Sequence, residues 1–213
     1  MKVTNMNIGF YVSGRATRLL HILQRNDSEI NNSIKLVVSD EENAILEGKL
    51  DNSNINYCCY SKEDYKDNIY FSNLLLEEMK KNKIDYLFVF GKKLLKGDIL
   101  ILYHNKMINF HPSILPLFSG FNAIDRALEA HMTILGNTAH FIDNSIDNGP
   151  IILQNIISTD IFYKEGYEGV LKYQEDMFFT IYNLLKEKRI TIENKKAIIK
   201  QSNSENCFYI PKV

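Results

Sequence analysis

The sequence predicts an α/β protein built on a mostly parallel sheet flanked by helices. Two features carry that expectation for the first two thirds of the chain. Short apolar runs alternate there with longer amphipathic stretches, and one run, Tyr86–Phe90, is apolar almost throughout, as a strand covered on both faces must be. A third feature is the change of pattern after Gly120, which leads to a long amphipathic helix and a weakly alternating tail.

In order, Asn7–Val12 reads as the first strand, Ser13–Thr17 as a polar turn and Arg18–Arg25 as a helix. Ile34–Ser39 is the second strand, followed by a helical stretch near Glu42–Leu50. Asn56–Tyr60 is the third strand and precedes a long helix over Asp64–Asn82. Tyr86–Phe90 and Met107–Phe110 are the fourth and fifth. Strands that alternate with helices pair in parallel through right-handed crossovers. Beyond them, Asn122–His131 reads as a helix, and Thr133–Phe141 and Ile151–Ile157 read as strands around a turn at Asp143–Pro150. Tyr167–Lys188 is the long helix, and the tail Thr191–Val213 adds a short hairpin. The expected organisation is a single domain over 1–213, with one half at 1–111 and another at 112–213.

At 213 residues and 45% hydrophobic composition, the chain can bury a sizeable core. A formal net charge of -1 lacks the basic footprint of a nucleic-acid-binding protein. No apolar run approaches the ~20 residues of a membrane span. The start, MKVTNMNIGFYVSG, carries neither the apolar stretch nor the cleavage site of a secretory signal. Of three cysteines, Cys58 and Cys59 are adjacent in a strand, so they point to opposite faces and read as packing residues rather than a disulfide or metal site. A cytoplasmic protein without a metal or a membrane partner, working as a monomer or homodimer, is expected.

The residues with chemistry concentrate between Met107 and Gln154. Asn109 and His111 stand two apart at the end of a strand, so they project from the same face. They lie at the carboxyl end of a parallel-type strand, where open α/β sheets bind ligands. Pro112 stops the strand. An amide beside an imidazole is a donor pair suited to a developing oxyanion. Asp147 falls in a turn closed by Gly149 and Pro150, where a carboxylate can hold an imidazole charged or relay a proton through water. Taken one at a time, these residues also read as a strand-ending Asn, a core His and a turn Asp.

The segments INFHPSILPLFSGFNAIDRALEA and LGNTAHFIDNSIDNGPIILQ together resemble the folate-dependent formyltransferases, the glycinamide ribonucleotide transformylases most closely. The resemblance implies catalytic roles for Asn109, His111 and Asp147. It implies 10-formyltetrahydrofolate as co-substrate, a small-molecule amine as acceptor, and a Rossmann-like amino-terminal half. The folate would lie against Lys93, Leu94 and Leu95 and against the loop Asp143, Asn144, Ser145 and Ile146, largely through backbone groups. The neutral amine would attack the formyl carbon, Asn109 and protonated His111 would stabilise the oxyanion, and Asp147 would support the imidazole and the proton's passage to the folate nitrogen. Leu115-Pro116 reads as a cis peptide shaping a tight turn.

The turn Ser13-Gly14-Arg15-Ala16-Thr17-Arg18 departs from the family's glycine-rich phosphate loop, with Ala16 and Arg18 in place of glycine and asparagine. Alanine tolerates positive φ poorly, so the backbone path is expected to differ. Gly14, Arg15, Thr17 and Arg18 are candidates for acceptor binding, the arginines as a charged fork for phosphate or carboxylate or else as two solvated side chains. Gln174 and Glu175 are further acceptor candidates, or an exposed helix face. Acceptors divide into glycinamide ribonucleotide and amino-sugar nucleotides, and a non-catalytic folate- or nucleotide-binding module is the competing class. Ser13–Arg18 lacks the Gly-x-Gly-x-x-Gly of a Rossmann oxidoreductase. The chain is too short and too neutral for the extra basic domain of methionyl-tRNA formyltransferases. His21, His104 and His131 read as surface or structural, and His140 as a support to the site.

Overall fold

The computed structural model describes residues 6–202, which fall into two compact units: residues 6–109 with 142–144, and residues 110–141 with 145–202. The first unit holds β1 (Ile8–Val12), α1 (Thr17–Gln24), α2 (Ser28–Ser33), β2 (Ile34–Ser39), α3 (Ala44–Leu50), β3 (Asn56–Cys59), α4 (Asn68–Lys81), β4 (Tyr86–Phe90) and α5 (Asp98–Leu102). It ends within β5 (Met107–His111). Its strands pair in parallel in the order β3-β2-β1-β4-β5. The chain runs from β1 outward through β2 to β3, then returns to the other side of β1 with β4. The point of reversal lies between the carboxyl ends of β1 and β4, where Val12 pairs with Phe90. Open α/β sheets bind ligands at such a crevice.

Phe10 and Tyr11 are both fully buried on opposite faces of β1, so the sheet is covered on both sides. Tyr11 packs with Leu36, Val38, Phe71, Leu75 and Leu87, while Phe10 stacks on Phe88 and Phe90. Two helices begin later than the sequence suggested, because the capping side chain sits further along. Asn43 accepts the Leu46 N–H and Asp67 the Tyr70 N–H, so α3 starts at Ala44 and α4 at Asn68. The short α2 and α5 were not anticipated. α2 depends on Asp27, whose side chain takes the N–H groups of Glu29 and Ile30.

Cys58 and Cys59 are partly buried thiols on β3. Burial, then Glu78, pushes the Cys58 thiol up from 9.0 to about 11. The folded state therefore holds this proton more tightly than the unfolded chain, and the associated stability is present below pH 9 and lost as pH rises through about 11. Because the thiolate is the nucleophile, alkylation of Cys58 at pH 8 is expected to run ~100-fold slower than for an unperturbed thiol. Peptide mapping after timed iodoacetamide exposure measures this, and labelling at the rate of a free thiol would contradict it.

The second unit holds α6 (Ala123–Glu129), β6 (Ile134–Phe141), β7 (Ile151–Ser158), α7 (Thr159–Leu171), α8 (Tyr173–Lys186), β8 (Ile190–Glu193) and β9 (Lys196–Ile199). β6 and β7 run antiparallel, with a register shift between Ala139 and His140. Ile124, Ala127, Leu135, Ile157 and Val170 form the core of this unit.

The long helix expected over Tyr167–Lys188 is two helices. α7 starts earlier, capped by Ser158, departs from helical backbone at Gly166 (φ 65°, ψ -154°), and gives way to α8 at Lys172. The Asn137 amide donates to the Val170 carbonyl at 3.0 Å beside this junction. The hairpin β8–β9 turns at Asn194 and Lys195, both with positive φ, which suits the right-handed twist of two paired strands. The rest of the predicted tail lies outside the described residues. Among the described residues no helix is long and apolar enough to cross a membrane.

Candidate active site

β5 carries the first candidate group. It ends at His111, which is 6% exposed, and Pro112 follows with no N–H to extend the ladder. The segment after it is pinned rather than loose. Thr138 on β6 accepts the Leu115 N–H at 3.0 Å and donates to the Ser113 carbonyl at 2.7 Å, and Gln154 on β7 donates to the Leu115 carbonyl at 2.8 Å. The Leu115-Pro116 peptide is cis, as the sequence suggested.

Both ring nitrogens of His111 face acceptors. Nδ1 lies 3.3 Å from Asp147 Oδ2, and Nε2 lies 3.0 Å from the Phe118 carbonyl. A carbonyl only accepts, so Nε2 carries a proton. The Asp147 side chain is 13% exposed, and water screens such a contact far less than a surface pair. Asp147 itself adopts the left-handed conformation (φ 49°), and its Oδ2 also accepts the Gly120 N–H at 2.8 Å.

A second imidazole flanks the carboxylate. His140 Nε2 lies 3.7 Å from Asp147 Oδ1, while its Nδ1 lies 2.9 Å from the Phe141 carbonyl and so carries a proton. From sequence, His140 reads only as a general support to the site. Its aim depends on the register shift beside it on β6, and shifts of this kind re-aim a side chain. Asn109 precedes His111 by two positions on β5 and is partly buried.

Gln174 and Glu175 do not lie on an exposed face of α8. Gln174 is fully buried and its amide donates to Asn137 Oδ1 at 2.8 Å, while Glu175 is 7% exposed. Gln174 thereby ties α8 to β6, a structural job that the sequence did not signal. In the loop expected at the folate, Asp143 is half-buried while Asn144, Ser145 and Ile146 are exposed. His21, His104 and His131 are exposed.

In the first unit, the turn after β1 runs through Gly14 (φ 59°) and Ala16 (φ 51°) into α1 at Thr17. Ala16 takes the left-handed conformation despite its methyl group, so the path expected to differ keeps a positive φ at that position. Arg15 is exposed. Arg18 lies against the end of β4: its Nη2 donates to the Phe90 carbonyl at 3.0 Å, and the guanidinium sits 4.5 Å from the Phe90 ring centroid. Lys93 follows β4, with its ammonium 3.6 Å from Asp40 Oδ2. Leu94 is half-buried and Leu95 belongs to the core, which leaves its backbone for any ligand. Among the described residues, no three His, Cys, Asp or Glu side chains are grouped to hold a metal ion.

Comparison with known proteins finds a family and similar structures. Residues 6–171 match the family described as formyl transferase. The phosphoribosylglycinamide formyltransferase of Bacillus subtilis is 29% identical over 152 residues, which is 70% of this chain and 78% of that protein. The formyltetrahydrofolate deformylase of Haemophilus influenzae is 33% identical over 132 residues, 59% of this chain and 46% of that one. The crystal structure of glycinamide ribonucleotide transformylase 1 from Symbiobacterium toebii superposes with a TM-score of 0.82 at 26% identity, covering 92% of this chain and 95% of that one.

Proposed function

This chain belongs to the formyl transferase family, and from that premise we propose that it moves the formyl group of 10-formyltetrahydrofolate to the primary amine of a small phosphorylated acceptor, as a phosphoribosylglycinamide formyltransferase does. The observation that carries the reading is the contact of a buried imidazole with a largely shielded carboxylate, His111 with Asp147, the histidine standing two residues beyond Asn109. The neutral amine adds to the formyl carbon and charge gathers on the formyl oxygen. Asn109 and the His111 imidazolium donate to that oxygen, in a site where donors are held in place before the charge develops. Asp147 keeps the imidazole charged and oriented, and helps pass the amine proton towards the departing folate nitrogen. For the Nε2 proton of His111 to reach the oxyanion, the Phe118 carbonyl that now accepts it has to give way.

Lys93, Leu94 and Leu95 and the loop Asp143–Ile146 serve the folate in this reading, and Gly14, Arg15, Thr17, Arg18 and Glu175 serve the acceptor. Support for the latter is positional: the turn after β1 stands at the reversal point of the sheet, with backbone N–H groups at the start of a helix. An amino-sugar nucleotide is the second acceptor class, favoured by the departure of Ala16 and Arg18 from the glycine-rich pattern.

The deciding experiment supplies the purified protein with 10-formyltetrahydrofolate and, separately, glycinamide ribonucleotide, a panel of amino-sugar nucleotides, or buffer alone. Formylated glycinamide ribonucleotide is the expected product. Formylation of an amino sugar alone would move the chain to that acceptor. Formate released at the same rate with and without an amine would replace transfer by hydrolysis.

A further inference from the structure

At the reversal point between β1 and β4, one buried carboxylate organises two stretches of backbone. Asp40 stands immediately after β2, and its side chain is only 2% exposed. Its Oδ2 accepts from the Tyr11 hydroxyl at 2.8 Å and from the Ser13 hydroxyl at 2.9 Å, and lies 3.6 Å from the Lys93 ammonium. The two hydroxyls do not end the chain of contacts. Ser13 Oγ accepts the Lys92 N–H at 2.9 Å, and the Tyr11 hydroxyl accepts the Lys93 N–H at 3.1 Å. An amide can only donate, so both hydroxyls turn their own protons to Asp40 Oδ2. Burial, and then Asp40, pushes the Tyr11 phenol well above its ordinary value, so it stays a donor.

The arrangement is poor for stability alone. Among the described residues Oδ1 of Asp40 is buried without a hydrogen-bond partner, and a buried carboxyl oxygen left unmet is unfavourable. Local rules of packing are broken in this way mainly at functional sites. The location is specific too, because Ser13 opens the turn Gly14–Arg18 and Lys93 opens the segment Lys93–Leu95.

We propose that Asp40 is a positioning residue for formyl transfer: through Tyr11 and Ser13 it clamps the acceptor turn to the folate segment, so that one carboxylate sets the binding of both substrates. The proposal rests on the assignment of those two stretches made above. Asp40 touches neither substrate; it acts through the hydroxyls.

The test compares Asp40→Ala, Asp40→Asn and Tyr11→Phe with the native protein, measuring KM for each substrate, kcat, and hydrogen exchange of the peptides covering residues 13–18 and 92–95. In Asp40→Ala both KM values should rise at least ~10-fold while kcat falls less than ~3-fold, since the reacting groups are untouched. Asp40→Asn keeps an oxygen for the two hydroxyls and should restore both KM values to within ~3-fold of native. Tyr11→Phe frees only the Lys93 N–H and should raise the folate KM alone. A rise in only one KM for Asp40→Ala, or a fall in kcat with both KM values unchanged, would overturn the clamp. Should the native protein formylate none of the acceptors, the functional reading fails and exchange judges the clamp by itself. Faster exchange at residues 92–95 in Asp40→Ala upholds it, and unchanged exchange removes it.

Discussion

Replacing Asp147 with asparagine is expected to lower turnover by at least ~10²-fold while the protein stays folded, and His111→Ala by a similar factor. The substitution at 147 is nearly isosteric. Its amide oxygen can still accept the Gly120 N–H that now reaches Oδ2 at 2.8 Å, so the turn should hold. What disappears is the negative charge 3.3 Å from His111 Nδ1, which in the proposed reaction supports a charged ring. A neutral ring places one proton between two acceptors and leaves the developing oxyanion without its charged donor. His111→Ala removes that donor outright. If the two residues act as one unit, the double variant should be hardly slower than the slower single variant, because the second change has nothing left to remove. Rates that multiply would show two independent contributions. Single variants retaining turnover within ~3-fold of native would mean that the imidazole and carboxylate do not carry the chemistry. Thermal midpoints, measured alongside, separate loss of function from loss of fold.

The sequence was legible where local pattern and tertiary outcome coincide. The five strands of the parallel sheet were readable because each is a short apolar run between polar breaks, and Tyr86–Phe90 appears as β4 with the predicted bounds. The single long helix was misread because its interruption is not a matter of periodicity. Gly166 and Lys172 sit in an amphipathic stretch, while Asn137, which bonds Val170 and Gln174 from β6, comes from a distant part of the chain. Within the site, the Asn-x-His and Asp-x-Gly-Pro patterns named His111 and Asp147, but no periodicity could show that a turn 36 positions later would bring a carboxylate to 3.3 Å. Asp40 was invisible for a different reason. Followed by Glu41 and Glu42, it looks like part of a solvated acidic turn, and its contacts come from Tyr11 on a neighbouring strand and Ser13 in the turn after it.

Gly136→Ala is expected to lower the thermal midpoint by ~6–12 °C, following a loss of ~3 kcal/mol. A methyl group at this position would lie 2.2 Å from the carbonyl oxygen of Asn155 and 2.7 Å from Ile114 Cγ1. The isoleucine can rotate, but the carbonyl cannot. It belongs to β7, which is held against β6 from Ile134↔Ser158 onward, so relief requires the paired strands themselves to separate. Overpacking against backbone belongs at the upper end of the usual cost. The damage should reach function as well, since Thr138, two residues along β6, holds the Leu115 N–H and the Ser113 carbonyl of the segment following His111. Gly48→Ala provides the contrast. That glycine lies in α3 with nothing within 4 Å of an added methyl, so alanine should stabilise by ~1 kcal/mol and raise the midpoint by ~2–4 °C. Both substitutions add the same methyl group, so opposite signs at the two positions would isolate close backbone approach as the cause. A fall of less than ~2 °C for Gly136→Ala would instead show that β6 and β7 can yield at this point, and with them the anchorage of the segment that follows His111.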